Sequence, residues 1–354
     1  MRILHVADEY LPRIGGIELH VHDLATRQRR MGHQVTVVTG TRSGESEDPD
    51  GPVVVRDRRD HAEWLQRADV VHAHLSVVSP FASRILRRAV ALGIPSTATV
   101  HSTWSERGPV AALNSALLPR HVASIDWTAV SERAAAPVRA ALGVPVAIQP
   151  DAVEIERWRP PSTPPPGPPR VVCVMRLTRT KRAVPLATIL RAVADETTLH
   201  ATIVGDGPER PHLESALRRE GLADRVRLTG TLSRQAVRRH LESAAVFLAP
   251  AHREAFGIAA LEARTLGLPV VASSRSGVAT FIEHGVDGLL GIDDKELSEQ
   301  VARLLRDPSL RGSISAHNRH ITPDLGWPAA LRRAEEAYRR AGAITAAPLT
   351  GVSR

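Results

Sequence analysis

Short apolar runs with strand character alternate with helix-length amphipathic stretches along most of the chain, and this rhythm restricts the fold more than any other feature. Strands are expected at 3–7, 35–39, 53–56, 70–74 and 97–101, with helices near 17–31, 61–67 and 80–93. The alternation resumes with strands at 171–175, 201–204, 226–229 and 246–249 and helices at 183–194, 209–220 and 233–243. Strands joined by helical crossovers pair in parallel, with helices covering both faces of the sheet. The expected fold is α/β: two doubly wound, Rossmann-like parallel-sheet domains facing each other across a cleft. A proline-rich stretch at 159–169 can neither continue a helix nor pair in a central strand, so it is read as a semi-rigid linker. The expected domains are 1–158 and 170–326, with a helix at 327–341 packing back across the gap. Residues 342–354 show no periodic pattern and are expected to be disordered.

A length of 354 residues suits two domains, each with its own core. The start Met1-Arg2-Ile3-Leu4-His5-Val6 enters a strand directly, and no run of eighteen apolar residues occurs, so a cytoplasmic protein is expected. The single cysteine, Cys173, excludes an internal disulfide and any cysteine-cluster metal site. Only two of the 46 basic residues are lysines, Lys181 and Lys295. Residues 1–158 hold 18 basic and 18 acidic side chains, whereas 159–354 hold 28 and 20, so the whole net charge of +8 lies in the second half. A polyanionic small ligand or a solvated arginine face fits that surplus. Nucleic acid does not, because aromatics are only 3% of the chain and no basic stretch is interleaved with stacking residues.

The segment Glu254-Ala255-Phe256-Gly257-Ile258-Ala259-Ala260-Leu261-Glu262 places two carboxylates eight residues apart around a turn that opens an apolar helix. Gly257 allows close backbone approach where free helix N–H groups begin. Glu262, among alanines and leucines, is costly to bury without a partner such as a vicinal diol. A solvated Glu262 and a capping Glu254 remain the alternative. The spacing Pro250-x-x-x-Glu254-x-Phe256-Gly257-x-x-x-x-Glu262-Ala263 resembles the donor-site motif of retaining glycosyltransferases of family 4, which have the GT-B fold. The resemblance implies that Glu254 contacts hydroxyls of the transferred sugar and Glu262 the ribose of a sugar nucleotide.

Four further places extend the resemblance, which runs from the first strand to about residue 341. Met175-Arg176-Leu177-Thr178-Arg179-Thr180-Lys181-Arg182 keeps both cations of the family's diphosphate clamp, Arg176 and Lys181, without its two glycines. A lysine here stands out in an arginine-using chain, and its compact ammonium suits a pyrophosphate oxygen. Gly15-Gly16, followed by Glu18 and His20, resembles the loop that closes over the donor phosphates. His101 stands where the family places a histidine against the donor sugar, and its ring is expected to project from the carboxyl edge of its strand. Gly205-Asp206-Gly207 matches a turn near the nucleotide, as do Phe256, Gly257 and Ile258.

Other residues carry weaker signals. His20 and His22 are read as helix-surface residues, and His72 and His74, alternate on one strand, as strand packing for want of a third metal ligand. Asp151, within Gln149-Pro150-Asp151-Ala152-Val153-Glu154, stands where the family has Asn-Gly-Val-Asp, and Thr280 replaces a glutamate. The only Asp-x-Asp, Asp48-Pro49-Asp50, lies in a polar loop rather than at a strand end. No metal site and no cofactor are therefore expected, and cations with helix N-termini are expected to neutralise the leaving group.

The resemblance implies retaining transfer of a hexose from a nucleoside diphosphate sugar to the hydroxyl of a small-molecule or lipid-linked acceptor. A sugar-nucleotide epimerase, a pseudo-glycosyltransferase or a non-catalytic sugar-nucleotide-binding protein of the same fold are the alternatives. The helix at 80–93 sets Arg84, Arg87 and Arg88 beside Phe81, Ile85 and Leu86 and is read either as a peripheral membrane contact or as a core helix with a solvated basic side.

Overall fold

The computed structural model describes residues 1–13, 15–42, 51–56, 61–104, 118, 122–160 and 168–343. Asp48 and Asp50, most of the proline-rich stretch and nearly all of the tail lie outside the described residues. Contacts divide the chain into two units, Met1–Ala152 with Trp327–Arg354, and Val153–Gly326. The chain changes unit between residues 152 and 153 and again between 326 and 327. The proline-rich stretch therefore falls within the second unit rather than at the crossing. Local contacts explain the shift: Trp158 is buried, and Arg238 of the second unit bonds the carbonyls of Arg157 and Arg159.

In the first unit, seven parallel strands are β1 (Arg2–Ala7), β2 (Gln34–Thr39), β3 (Val53–Val55), β4 (Val70–Leu75), β5 (Ser96–Val100), β6 (Asp126–Ala129) and β7 (Val146–Ile148), ordered β3-β2-β1-β4-β5-β6-β7. β4 is buried at all six positions, as expected of a central strand covered on both faces. The helix Gly16–Arg30 buries Val21, Leu24, Ala25 and Gln28, one face at helical spacing. The helix Trp327–Arg340 buries Trp327, Ala330, Ala334 and Tyr338 in the same core, so the C-terminal helix completes the first unit.

Six parallel strands form the second unit: β8 (Val171–Val174), β9 (Ala201–Val204), β10 (Val226–Leu228), β11 (Val246–Ala249), β12 (Val270–Ser273) and β13 (Gly288–Gly291), ordered β10-β9-β8-β11-β12-β13. In both sheets the order reverses beside the first strand, between β1 and β4 and between β8 and β11. Loops leaving the carboxyl ends of such neighbours diverge and open a crevice. Sequence reading assigned no strand to β6, β7, β12 or β13. Each has three or four residues, as do β3 and β8–β11, which were read; β6 (Asp-Trp-Thr-Ala) and β13 (Gly-Leu-Leu-Gly) lack the unbroken apolar run that marks β8 and β11.

The helix Pro80–Ala91 packs one face into the first unit. Phe81, Ile85 and Leu86 are buried in the unit's core, and the Arg84 guanidinium lies 5.6 Å from the Phe81 ring centre. Its apolar side packs on protein, while Arg84, Arg87 and Arg88 are exposed. Among the described residues no helix is long and apolar enough to cross a membrane.

Candidate active site

At the second unit's switch point, the loop after β8 carries Arg176 and Lys181, and the loop after β11 carries Glu254. The Lys181 ammonium and the Glu254 carboxylate form an ion pair that ties the two loops together, both groups remaining partly open to solvent. Arg176, on the same loop as Lys181, is exposed. Glu254 is held from behind, because the Gly277 N–H donates to its carbonyl at 2.8 Å. A Cβ at Gly277 would lie 1.9 Å from the Ala255 carbonyl oxygen, so only glycine lets these two backbones meet.

Gly257 caps the helix Ile258–Thr265 in the left-handed region, with φ 99°. That turn leaves the first N–H groups of the helix without intrahelical acceptors. Ile258 is half-buried at the first helical position and Glu262 half-buried one turn on. Phe256 has a packing role: it is buried, and its ring centre lies 5.1 Å from that of Phe281.

The Gly205-Asp206-Gly207 turn is zipped to the loop after β8. Met175 N–H donates to the Val204 carbonyl at 3.0 Å and Leu177 N–H to the Asp206 carbonyl at 2.9 Å. A Cβ on Gly205 would come within 1.9 Å of the Met175 carbonyl oxygen, and one on Gly207 within 2.3 Å of that of Leu177. Both glycines thus set the path of the segment that bears Arg176.

Two residues of this constellation escaped sequence reading. Arg182, a non-glycine residue at φ 61°, turns its guanidinium onto Asp294, with Nη2 2.6 Å from Oδ2, and onto His252 Nε2. His252 Nε2 must then accept, so Nδ1 carries the proton and donates to Ser273 Oγ at 2.8 Å. Burial and the neighbouring Arg182 both lower the His252 pKa, which agrees with a neutral ring. The available signal was position: Arg182 follows Lys181, and His252 precedes Glu254 by two residues.

In the first unit Gly15 caps the helix Gly16–Arg30 in an extended conformation. A Cβ there would sit 2.4 Å from Glu18 Oε2, so this carboxylate covers the turn expected to receive an oxyanion. Burial raises the Glu18 pKa, and the neighbouring Glu9 adds to the rise.

His101 does not project as expected. Its side chain is 1% exposed, with Nε2 3.0 Å from His74 Nδ1 and Nδ1 3.3 Å from Asp151 Oδ1. His20 is likewise not a surface residue. It is buried, its ring lies 5.2 Å from that of Trp327, and its Nδ1 is 3.4 Å from the same Asp151 oxygen. Three residues after Ile17 and four before Leu24, it sits on the apolar stripe rather than beside it. Despite its burial, Asp151 has a lowered pKa, because His20 and His101 favour the carboxylate.

His72 and His74 gain the third imidazole that sequence reading lacked. His5 pairs with His72 across β1 and β4, and the three rings lie within metal-binding reach of one another. All six of their ring nitrogens already have protein partners: Gln28, Tyr338, Thr99, His101 and each other. Hydrogen bonding therefore accounts for the cluster without an ion.

Residues 14–157 match the family model of glycosyltransferase family 4 and residues 154–320 that of glycosyl transferases group 1. Among curated proteins, a phosphatidylinositol N-acetylglucosaminyltransferase subunit of Homo sapiens is 27% identical over 98% of this chain and 78% of its own length. Glycogen synthase of Mycobacterium tuberculosis is 26% identical over 96% of this chain and 94% of its own. A D-inositol 3-phosphate glycosyltransferase of Thermobispora bispora is 36% identical, but over only 39% of this chain and 33% of the relative. Anabaena Alr3699/HepE in complex with UDP superposes with a TM-score of 0.76 at 19% identity, covering 96% of this chain and 100% of that one. Family models over adjacent halves, and two Rossmann-like sheets shared with GT-B glycosyltransferases, agree: the chain belongs to glycosyltransferase family 4.

Proposed function

We propose that this protein is a retaining hexosyltransferase that moves sugar from a nucleoside diphosphate donor to an acceptor hydroxyl, without a metal or cofactor. The observation that carries the reading is the Lys181–Glu254 ion pair at the β8/β11 switch point, set against the open N-terminus of the helix Ile258–Thr265. A cation for diphosphate and a carboxylate for sugar hydroxyls are thereby adjacent before any ligand arrives. Arg176 and Lys181 bind the diphosphate. Glu262 takes the ribose hydroxyls, Glu254 the transferred sugar, and Gly205, Gly207, Phe256, Gly257 and Ile258 shape the loops around the donor. His101, the expected sugar contact, is buried with its ring nitrogens facing His74 and Asp151, so no contact with the sugar is assigned to it.

In the transfer, the bond between the anomeric carbon and the diphosphate oxygen breaks with its electron pair going to phosphate. The acceptor oxygen attacks the same face and its proton passes to the departing diphosphate, which serves as base. Lys181 and Arg176 stabilise the charge that develops there. UDP is the first nucleotide to test, because UDP occupies the similar Anabaena protein. A small-molecule or lipid-linked hydroxyl is the acceptor class, in keeping with inositol-based names among the relatives.

Calorimetry against UDP-, GDP-, ADP- and dTDP-sugars, followed by NMR of the product's anomeric coupling, tests the proposal. Retained configuration in a glycosylated product is expected. An inverted product, or accumulation of an isomerised sugar nucleotide, would replace the reading with inversion or epimerisation. Turnover should survive a chelator, because the sole Asp-x-Asp stands in a polar loop away from any expected strand end. Loss with EDTA and recovery with manganese would refute metal independence.

A further inference from the structure

A second set of polar contacts crosses the carboxyl edge of the second unit's sheet, touching the chain after four neighbouring strands in their spatial order β8-β11-β12-β13. Arg182, after β8, places Nη1 2.5 Å from His252 Nε2 and 3.4 Å from the Pro250 carbonyl oxygen, both after β11. Its Nη1 and Nη2 also grip the two carboxylate oxygens of Asp294, which opens the helix Asp294–Arg306 after β13. From His252 Nδ1 the contacts continue to the Oγ of Ser273, the last residue of β12, at 2.8 Å, and that oxygen also accepts the Arg275 N–H at 3.2 Å. One guanidinium thus ties the Lys181 loop to the loops on its far side.

Arg182 is the sole non-glycine residue at positive φ among the described residues. A side chain in the left-handed region costs energy that glycine does not, and it persists only where the surroundings over-determine it. In the diphosphate clamp that this segment resembles, the residue after the lysine is one of the two glycines. Here the same turn carries a guanidinium. The turn is closed from within by the Lys181 N–H on Thr178 Oγ1 at 3.3 Å and the Arg182 N–H on the Arg179 carbonyl at 2.9 Å. Gripping Arg182 therefore fixes the peptide that joins it to Lys181. The Lys181–Glu254 pair is a weaker tie, since one ammonium on a flexible stem, partly open to solvent, sets distance without direction. A bidentate fork sets both. The weaker tie is also the one that a diphosphate must break to reach the ammonium.

We propose that Arg182 is a positioning residue for the donor diphosphate: gripped by Asp294 and His252, it fixes the loop that carries Lys181, so that the ammonium stays in reach when it leaves Glu254 for phosphate. Arg182 acts through Lys181 and not on the donor, because both of its terminal nitrogens are committed to Asp294, His252 and Pro250. The donor role rests on the reading of Lys181 as a diphosphate ligand, whereas the anchoring of the loop does not.

Lysine ε-methylene spectra of the full-length protein, labelled with ¹³C-lysine, test the anchor without a ligand. The chain has only two lysines, and Lys181→Arg assigns their signals. Lys295, its side chain 84% exposed, is the freely rotating reference. Wild type should show two separate ε-proton shifts for Lys181. Arg182→Gly keeps the left-handed turn but loses the guanidinium, and it should merge the two shifts as in Lys295. Asp294→Ala, a change outside the Lys181 loop, should do the same. Shifts that stay separate in both variants, or are already merged in wild type, would overturn the anchor. Calorimetry with UDP and uridine reads the donor role: Arg182→Gly should weaken UDP about tenfold and uridine less than about twofold, and in a Lys181→Ala background the same change should weaken UDP less than about twofold. Additive losses would mean that Arg182 acts on the donor itself, and an unchanged UDP affinity that it positions nothing; either result ends the proposal. Wild type that does not bind UDP would remove the donor role together with the reading it rests on, while the spectra still decide the anchor.

Discussion

Lys181 and Glu254 show how far single residues could be read and where reading stopped. Each was legible by type and local spacing, one as a lysine in an arginine-using chain, the other as the first carboxylate of a motif. Their pairing was not, because 73 residues separate them and only the β8/β11 adjacency unites their loops. The ion pair sharpens what substitutions should do. Lys181→Ala removes a charge-assisted contact and should weaken nucleoside diphosphate binding by roughly 1.5–3 kcal/mol while sparing the nucleoside. Equal affinity of wild type and variant for the diphosphate, read by calorimetry, would cancel that assignment. Glu254→Gln leaves the ammonium without its carboxylate, so free nucleoside diphosphate should bind at least as tightly as to wild type and the sugar nucleotide more weakly. A variant that loses both ligands equally would place Glu254 on the nucleotide rather than the sugar.

At the scale of elements, the helices Gly16–Arg30, Pro80–Ala91 and Trp327–Arg340 were legible because their periods repeat over enough residues to declare themselves. The helices Asp294–Arg306 and Pro308–His320 and the strands β6, β7, β12 and β13 were not read. The boundary expected at 159–169 differs from the crossing between residues 152 and 153, since composition reports stiffness but not where contacts divide. Gly205 and Gly207 were read as lying near the nucleotide, and the structure gives them, together with Gly277, the duty of letting backbones touch. Gly277→Ala forces a Cβ against the Ala255 carbonyl that cannot move without shifting Glu254. It should cost roughly 2 kcal/mol or more in stability and weaken donor-sugar binding as well. Gly221 supplies the control: it is left-handed at φ 67° with open space where a Cβ would go, so Gly221→Ala should cost only about 1 kcal/mol and leave binding intact. Urea unfolding of both variants measures the difference, and equal costs would refute the claim that backbone contact, rather than φ alone, demands glycine at Gly277.

Across the whole molecule the two units share an architecture but differ in what their cores hold. All six buried histidines among the described residues, His5, His20, His61, His72, His74 and His101, lie in the first unit. The second unit's switch-point histidine, His252, is only half-buried. Burial lowers His5 to about 4 and takes His72 and His74 well below their ordinary value. Between pH 6.5 and about 4 the unfolded chain therefore binds protons that the folded core refuses, and stability falls as pH falls through that window. For His5 alone the difference is about 3 kcal/mol, at roughly 1.4 kcal/mol for each tenfold loss of proton affinity. Asp151 adds to the loss only at lower pH, since its carboxylate is stabilised in the fold and must be protonated to come apart. Four of the five tryptophans, Trp64, Trp104, Trp127 and Trp327, belong to the first unit and report its unfolding. Urea midpoints followed by tryptophan fluorescence should hold steady from pH 8 to 7 and drop progressively below 6.5. A midpoint unchanged at pH 5 would mean that these imidazoles accept protons in place, which neutral, hydrogen-bonded rings in a dry core cannot do.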